Sequence, residues 1–154
     1  MIPNYVTILN EEFKKLYQIL DESVSESNSH HISLSGGLDS SIISFFLQPK
    51  KINAISVIAD GFLGTDLLYC QTIAQKFGFP LTLKMASVEE IITAIDETIK
   101  ILQVFNDIEI RNSVVMYLAL NAIKKEGHTS IITGDGADEL FAGYNFFLKM
   151  SDTE

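Results

Sequence analysis

Ile32-Ser33-Leu34-Ser35-Gly36-Gly37-Leu38-Asp39-Ser40-Ser41 is the stretch from which the fold can be read. Ile32 to Leu34 is a short apolar run that reads as a buried strand. It breaks at Ser35-Gly36-Gly37, and an apolar helical segment from Leu38 to Leu47 follows at once. A strand, a glycine turn and a helix N-terminus in that order form an anion site. The first helical N–H groups have no intrahelical acceptor, and the helix dipole favours negative charge there. The glycines let backbone approach an oxyanion closely, and the Ser35, Ser40 and Ser41 hydroxyls can donate to it. Asp39 is out of place in a phosphate cradle unless a cation stands between carboxylate and phosphate, which points to Mg²⁺. No Gly-Lys-Ser/Thr follows the glycines, so this is not a Walker loop.

On the N-terminal side, residues 4–27 contain a helix with Ile8, Phe13, Leu16, Ile19, Leu20 and Val24 on one face, capped by Asn10 or Thr7. His30 and His31 enter the first strand and read as strand-edge residues. Adjacent strand residues point to opposite faces and are poorly placed to share a metal. On the C-terminal side, Pro49-Lys50-Lys51 marks a turn, and Ile52–Ile58 is a second strand, apolar on both faces. Thr65 can cap a helix from about Asp66 to Phe77, which Gly78 ends; Leu81–Lys84 is a short third strand. Ser87 with Glu90 forms a capping box for a helix to about Phe105, and a further helix spans Glu109 to Glu126. Ser130–Thr133 is a fourth strand. This alternation predicts a single α/β domain over residues 1–154, a doubly wound parallel sheet with helices on both faces. Ligands of such sheets bind beyond the carboxyl ends of the strands, where the winding reverses. The first and fourth strands are expected to be neighbours there.

The bulk properties narrow the function. The chain has 154 residues, 47% of them hydrophobic, with ten Phe and five Tyr, enough for a substantial core. Eleven basic against 20 acidic residues give a net charge of −9 without a basic cluster, which argues against a nucleic-acid surface. The single cysteine, Cys70, excludes an intrachain disulfide and a multi-cysteine metal site; its helical spacing with Leu67, Ala74 and Phe77 marks a buried thiol. With no signal peptide and no apolar run long enough to span a membrane, the expected location is the cytoplasm, with no membrane partner.

A second motif, Gly134-Asp135-Gly136-Ala137-Asp138-Glu139-Leu140-Phe141-Ala142-Gly143-Tyr144, follows the fourth strand directly. It repeats the logic of strand, glycine turn, acidic residue and helix. If the two loops meet across one crevice, Asp39 and Asp138 hold one or two Mg²⁺ ions, and Asp135 faces the reacting centre.

The first loop resembles the pyrophosphate-binding loop of ATP pyrophosphatases. Together the two motifs resemble the synthetase domain of the asparagine synthetase family, in which Ser-Gly-Gly-Leu-Asp-Ser-Ser is followed downstream by Gly-Glu-Gly-Ala/Ser-Asp-Glu and Phe-x-Gly-Tyr. Asp66-Leu67, Ile110-Arg111 and Met116-Tyr117-Leu118 extend the likeness, which runs from about Ile8 to Leu148. The resemblance implies the adenine nucleotide α-hydrolase-like fold. It also implies an enzyme that uses ATP and Mg²⁺ to adenylate a small carboxylate such as aspartate, releases pyrophosphate, and lets ammonia displace AMP. Carried over by position, Ser35, Gly36, Gly37, Asp39 and Ser40 bind pyrophosphate, and Leu34, Val57, Ile58 and Gly134 contact adenosine. Asp39 and Asp138 hold the metal. Asp135 and Arg111 act at the catalytic centre, Arg111 by neutralising charge.

Three departures from the family pattern stand out. Asp135 replaces the usual glutamate, one methylene shorter. Ile108 and Glu109 stand where threonines often precede the arginine, which leaves the carboxylate acceptor open. The chain stops at Glu154, where family members continue with a helical segment that supplies a lysine, and no nucleophilic cysteine follows Met1. The reading is thus of a truncated synthetase domain without a glutaminase domain, its nitrogen coming as free ammonia or from a separate glutaminase. Exposed apolar residues near Leu140, Phe141, Phe146, Phe147 and Leu148 would mark a homodimer or partner interface. Two alternatives stay open: an ATP-binding module or incomplete synthetase completed by a partner subunit, and tRNA modification, which the acidic charge and lone cysteine disfavour.

Overall fold

The computed structural model describes residues 11–62 and 64–144. Its elements are α1 (Glu11–Glu26), β1 (His31–Ser33), α2 (Leu38–Leu47), β2 (Asn53–Ala59), α3 (Thr65–Phe77), β3 (Leu81–Ala86), α4 (Val88–Leu102), α5 (Asp107–Lys125) and α6 (Ala137–Phe141). The three strands are parallel in the order β1-β2-β3, with Ile32 beside Ala54 and Ala54 beside Leu81. The expected fourth strand is reduced to one parallel bridge between Ile32 and Ile132. Two hydrogen bonds make it: Ser33 N–H donates to the Ile132 carbonyl (2.9 Å) and Ile132 N–H to the His31 carbonyl (2.8 Å). Ser29 Oγ–H adds a third tie to the Ser130 carbonyl (2.8 Å). Partners for more rungs are lacking because β1 itself is three residues long and the chain turns away at Gly134. The segment nevertheless lies on the far side of β1 from β2, so the winding reverses at β1, as expected of a doubly wound sheet.

Period-two alternation divides the sheet between two cores. Ile32, Leu34 and Ala54 face α1, α2 and α3, packing with Val24, Phe46, Leu47, Cys70 and Ala74. Ile55 faces Ala119 and Ile123 of α5, while Ala86 packs with Ala94 of α4 and Ile110, Val114 and Leu118 of α5. Ile32, Leu34 and Leu47 are at most 1% exposed, each worth about 1.5–3 kcal/mol of burial. Cys70 is buried, and its thiol donates to the Leu34 carbonyl (3.1 Å); burial pushes its pKa up, so it is an inert packing group.

Several expected details change. The face of α1 that packs is Tyr17, Leu20 and Val24, with Tyr17 against Phe46 at 4.9 Å between ring centroids, while Phe13 and Ile19 are exposed. The expected caps Asn10 and Thr7 lie outside the described residues. The C-terminus of α1 is capped from a distance: Lys50 Nζ donates to the carbonyls of Val24, Ser25 and Ser27 at 2.8–2.9 Å. Helix α3 starts at Thr65, with Gly64 rather than Thr65 at the cap position and no side-chain cap. Helix α4 ends at Leu102, short of Phe105, because Gln103 turns left-handed (φ 56°) and closes on the Ile99 carbonyl. Helix α5 begins two residues earlier than expected, because Asn106 Oδ1 accepts from the N–H groups of Ile108 and Glu109. The Ser87–Glu90 capping box is present, with both reciprocal hydrogen bonds. Replacing Ser87 with alanine is expected to destabilise the fold by about 1 kcal/mol. Urea denaturation of the variant checks this through a lowered midpoint at unchanged slope.

Candidate active site

The first loop is shaped by what surrounds Gly36. This residue has φ +81°, and a Cβ there would lie 2.7 Å from the Asp66 carbonyl oxygen and 3.0 Å from Tyr69 Cβ. A side chain is excluded both by conformation and by the first turn of α3. Gly37 is the N-cap of α2 and offers no side-chain cap. The first helical hydrogen bond is Ser41 N–H to the Gly37 carbonyl (3.2 Å), so the N–H groups before it have no helical acceptor. The serines brace the turn. Ser35 Oγ accepts from Gly37 N–H (3.2 Å) and pairs with Ser40 Oγ (3.1 Å), and Ser41 Oγ donates to the Gly37 carbonyl (2.6 Å). The Ser40 hydroxyl also donates to the Gly37 carbonyl (3.2 Å), so both it and Ser41 brace the loop, while Ser35 and Ser40 line the adjoining cleft.

The second loop is pressed against the first. A Cβ at Gly134 would lie 2.9 Å from Ser40 N, 3.0 Å from Asp39 Cβ and 3.1 Å from Asp39 C. The two loops enclose a cleft of about 710 Å³. Ser35, Asp39 and Ser40 line it from one side, Thr133 to Glu139 from another, and Asn112, Ser113 and Met116 of α5 from a third. A neighbouring pocket of about 270 Å³ is lined by Leu34, Val57, Ile58, Phe62 and Leu67 and shares Ser33, Ser35 and Val115 with the cleft. The structure thus brings Ser35, Asp39, Ser40, Gly134, Asp135 and Asp138 to one cleft, and Leu34, Val57 and Ile58 to the pocket beside it. Gly36 and Gly37 shape the loop without lining either hollow. A separate hollow of about 520 Å³ lies around Lys84, Glu90 and Tyr117, away from both glycine loops.

Arg111 is not brought to the cleft. Its side chain is 73% exposed and bonds back one helical turn, Nη2 to Asp107 Oδ2 at 3.3 Å and Nε to the Asp107 carbonyl at 3.3 Å. The cleft-facing positions are the next two residues, Asn112 and Ser113, which the sequence reading missed. Their only signal was position beside the Ile110-Arg111 pair on an amphipathic helix. Thr133 was also missed; its Oγ1 accepts from Asp135 N–H (3.4 Å) and helps set the second loop.

The lining is strongly anionic. Asp39, Asp135, Asp138 and Glu139 face the cleft, and no lysine or arginine is among its described lining residues. Tyr144 donates to Glu139 Oε1, which holds the Glu139 carboxyl below the usual range and pushes the Tyr144 phenol up to about 12. Asp138 is folded back on Gly143, where any Cβ would overlap its carboxylate. A polyphosphate could not sit here against four carboxylates without divalent cations between. All-oxygen donors suit Mg²⁺, which keeps several waters and takes one or two carboxylates plus phosphates. The donor set therefore fits that ion, and Asp39 and Asp138 both line the cleft. Leu140 and Phe141 of α6 are exposed, while Phe146, Phe147 and Leu148 lie outside the described residues.

The family model described as asparagine synthase matches residues 15–154. The chain belongs to the asparagine synthase family. Asparagine synthetase B [glutamine-hydrolyzing] of Escherichia coli is 31% identical across 96% of this chain and 29% of its own length. The human asparagine synthetase [glutamine-hydrolyzing] is 34% identical across 79% of this chain and 23% of its own. The chain spans under a third of the length of these curated relatives. Among solved structures, the glutamine-dependent NAD⁺ synthetase of Acinetobacter baumannii, in complex with ADP, superposes with a TM-score of 0.59 at 15% identity, over 94% of this chain and 28% of that one. The NH3-dependent NAD synthetase of Campylobacter jejuni gives 0.54 at 17% identity, over 86% of this chain and 58% of that one. The shared fold is the adenine nucleotide α-hydrolase-like fold, in agreement with the expected fold class.

The contact of Gly134 with α2 yields a direct test. Gly134 does not need a left-handed φ, so alanine there meets only the steric barrier of backbone. Such overpacking costs about 1–3 kcal/mol. Calorimetric titration of Gly134→Ala with Mg-ATP is expected to show affinity reduced by roughly one to two powers of ten. Unchanged affinity would mean that the two loops do not act as one site.

Proposed function

We propose that this chain carries the ATP-dependent amide-ligase chemistry of its family: it adenylates a small carboxylate, aspartate or similar, with release of pyrophosphate, and passes the acyl group to ammonia. The observation that carries this reading is the meeting of two acidic glycine loops in one cleft beside an apolar pocket. In this reading the apolar pocket at Leu34, Val57 and Ile58 takes the adenosine. The uncapped first turn of α2 and the Ser35 and Ser40 hydroxyls take the β- and γ-phosphates. Asp39 and Asp138 hold Mg²⁺, which when bound neutralises charge building on the leaving pyrophosphate. With the substrates so held, a carboxylate oxygen attacks the α-phosphorus and the α–β bond breaks. The ammonia lone pair then attacks the acyl carbon, nitrogen gives up a proton, and AMP leaves. In this reading Asp135, next to Gly134 in the second loop, receives that proton. The nitrogen comes as free ammonia or from a separate glutaminase.

One observation favours a second reading. Among the described residues the cleft has no basic side chain, and Arg111 points to solvent. A nucleotide-binding part completed by another subunit, docking on the exposed Leu140 and Phe141, accounts for that as well.

Phosphorus NMR of a reaction containing Mg-ATP, aspartate and ammonium separates the two. Ligase action predicts AMP and pyrophosphate in equal amounts, abolished in Asp39→Ala. ATP bound in a Mg²⁺-dependent way without turnover points to the binding part alone. ADP and phosphate, lost in the same variant, would overturn the proposed chemistry.

A further inference from the structure

A second cluster of ligating side chains lies at the opposite end of β1 from the glycine loops. His31 opens β1 and is 3% exposed, and its Nδ1 is buried without a hydrogen-bond partner among the described residues. The His128 ring packs on it, 4.1 Å between centroids and tilted by 51°. Glu126, the C-cap of α5, completes the group: one ligand atom from each of His31, Glu126 and His128 lies within 4.8 Å of the others.

The backbone holds these three together. Glu126 N–H and His128 N–H both donate to the Ile123 carbonyl, at 3.0 and 3.1 Å, and Gly127 between them takes φ +87°. The left-handed glycine folds the chain so that residues two apart face the same strand. His31 is held by β1, where its carbonyl accepts from Ile132 N–H at 2.8 Å. A buried imidazole nitrogen without a partner is costly, and the ring of His128 packed against it does not satisfy it. Glu126 adds negative charge at a helix C-terminus, where the dipole is already negative. A dication would relieve the bare His31 nitrogen and the Glu126 charge at once.

We infer that His31, Glu126 and His128 form a site for a zinc-type divalent cation, separate from the nucleotide cleft. Two imidazoles and one carboxylate suit Zn²⁺ or Co²⁺, with the fourth position left to water. The all-oxygen cleft suits Mg²⁺ instead, so ligand chemistry sorts the two metals between the two ends of β1. Metal here would tie the last turn of α5 to β1. The same helix carries Asn112, Ser113 and Met116 to the cleft.

The full chain, stripped of metal with a chelator, is to be titrated with zinc in competition with a chromophoric chelator. About one equivalent is expected to bind, with a raised melting temperature. Cobalt in its place is expected to give the strong visible absorption of a four-coordinate ion. His128→Ala and Glu126→Gln, each shown to be folded by circular dichroism, should weaken binding by more than the roughly 10- to 100-fold that loss of an outer-shell partner costs. Asp39→Ala should leave it unchanged, and excess Mg²⁺ should not displace it. Zinc binding equally tight in His128→Ala and Glu126→Gln, or lost only in Asp39→Ala, would overturn the assignment.

Discussion

The site depends on the distance between two pieces of backbone. Gly134 sits so close to the first turn of α2 that there is no room for a single methyl group between them. That contact turns two separate strand–turn–helix units into one cleft. It rests on the single bridge from Ile132 to Ile32, since the bridge delivers Gly134 to the N-terminus of α2. The rest of the architecture serves this placement. Ser29 ties the approach of the 130s segment to the start of β1, α5 packs across β2, and Gly36 lets the first loop lie flat on α3. With a longer ladder at the fourth position, the second loop would leave the sheet further along and miss the α2 terminus.

The elements with strong local signals were legible in the sequence. Leu38–Leu47 is a helix with the expected limits, the Ser87–Glu90 box starts α4, and the left-handed Gly78 ends α3. Tertiary contacts overrode the rest. Helical periodicity alone could not tell that Tyr17 would pack on Phe46 while Phe13, one turn earlier on the same side of α1, stays exposed. Ser130-Ile131-Ile132-Thr133 looks the same whether the neighbouring strand has room for one rung or three. For the site, loop residues were legible because glycine and aspartate in that order carry a physical requirement. Residues on α5 were not. A one-residue step around a helix separates the exposed Arg111 from Asn112, and the sequence contains nothing to fix that phase to within one position. The pairing of His31 with His128 was invisible for a similar reason, since it depends on a left-handed Gly127 nearly a hundred residues from β1.

Charge gives the cleft its character. A chain with net charge −9 has placed four carboxylates, and no described basic side chain, around the space where a polyphosphate is proposed to bind. Attraction must then come from uncapped helical N–H groups and from cations recruited with the nucleotide. Under the proposed reading, affinity follows the metal concentration steeply, and the apolar pocket at Leu34, Val57 and Ile58 is assigned orientation rather than charge.

A crystal structure of the chain with Mg²⁺ and α,β-methylene ATP tests the central claim most directly. The account predicts β- and γ-phosphates at the first turn of α2, cation density between them and Asp39 or Asp138, and adenine against Val57 and Ile58. Phosphates lying away from that turn, or nucleotide in the hollow around Lys84 and Tyr117, would contradict it.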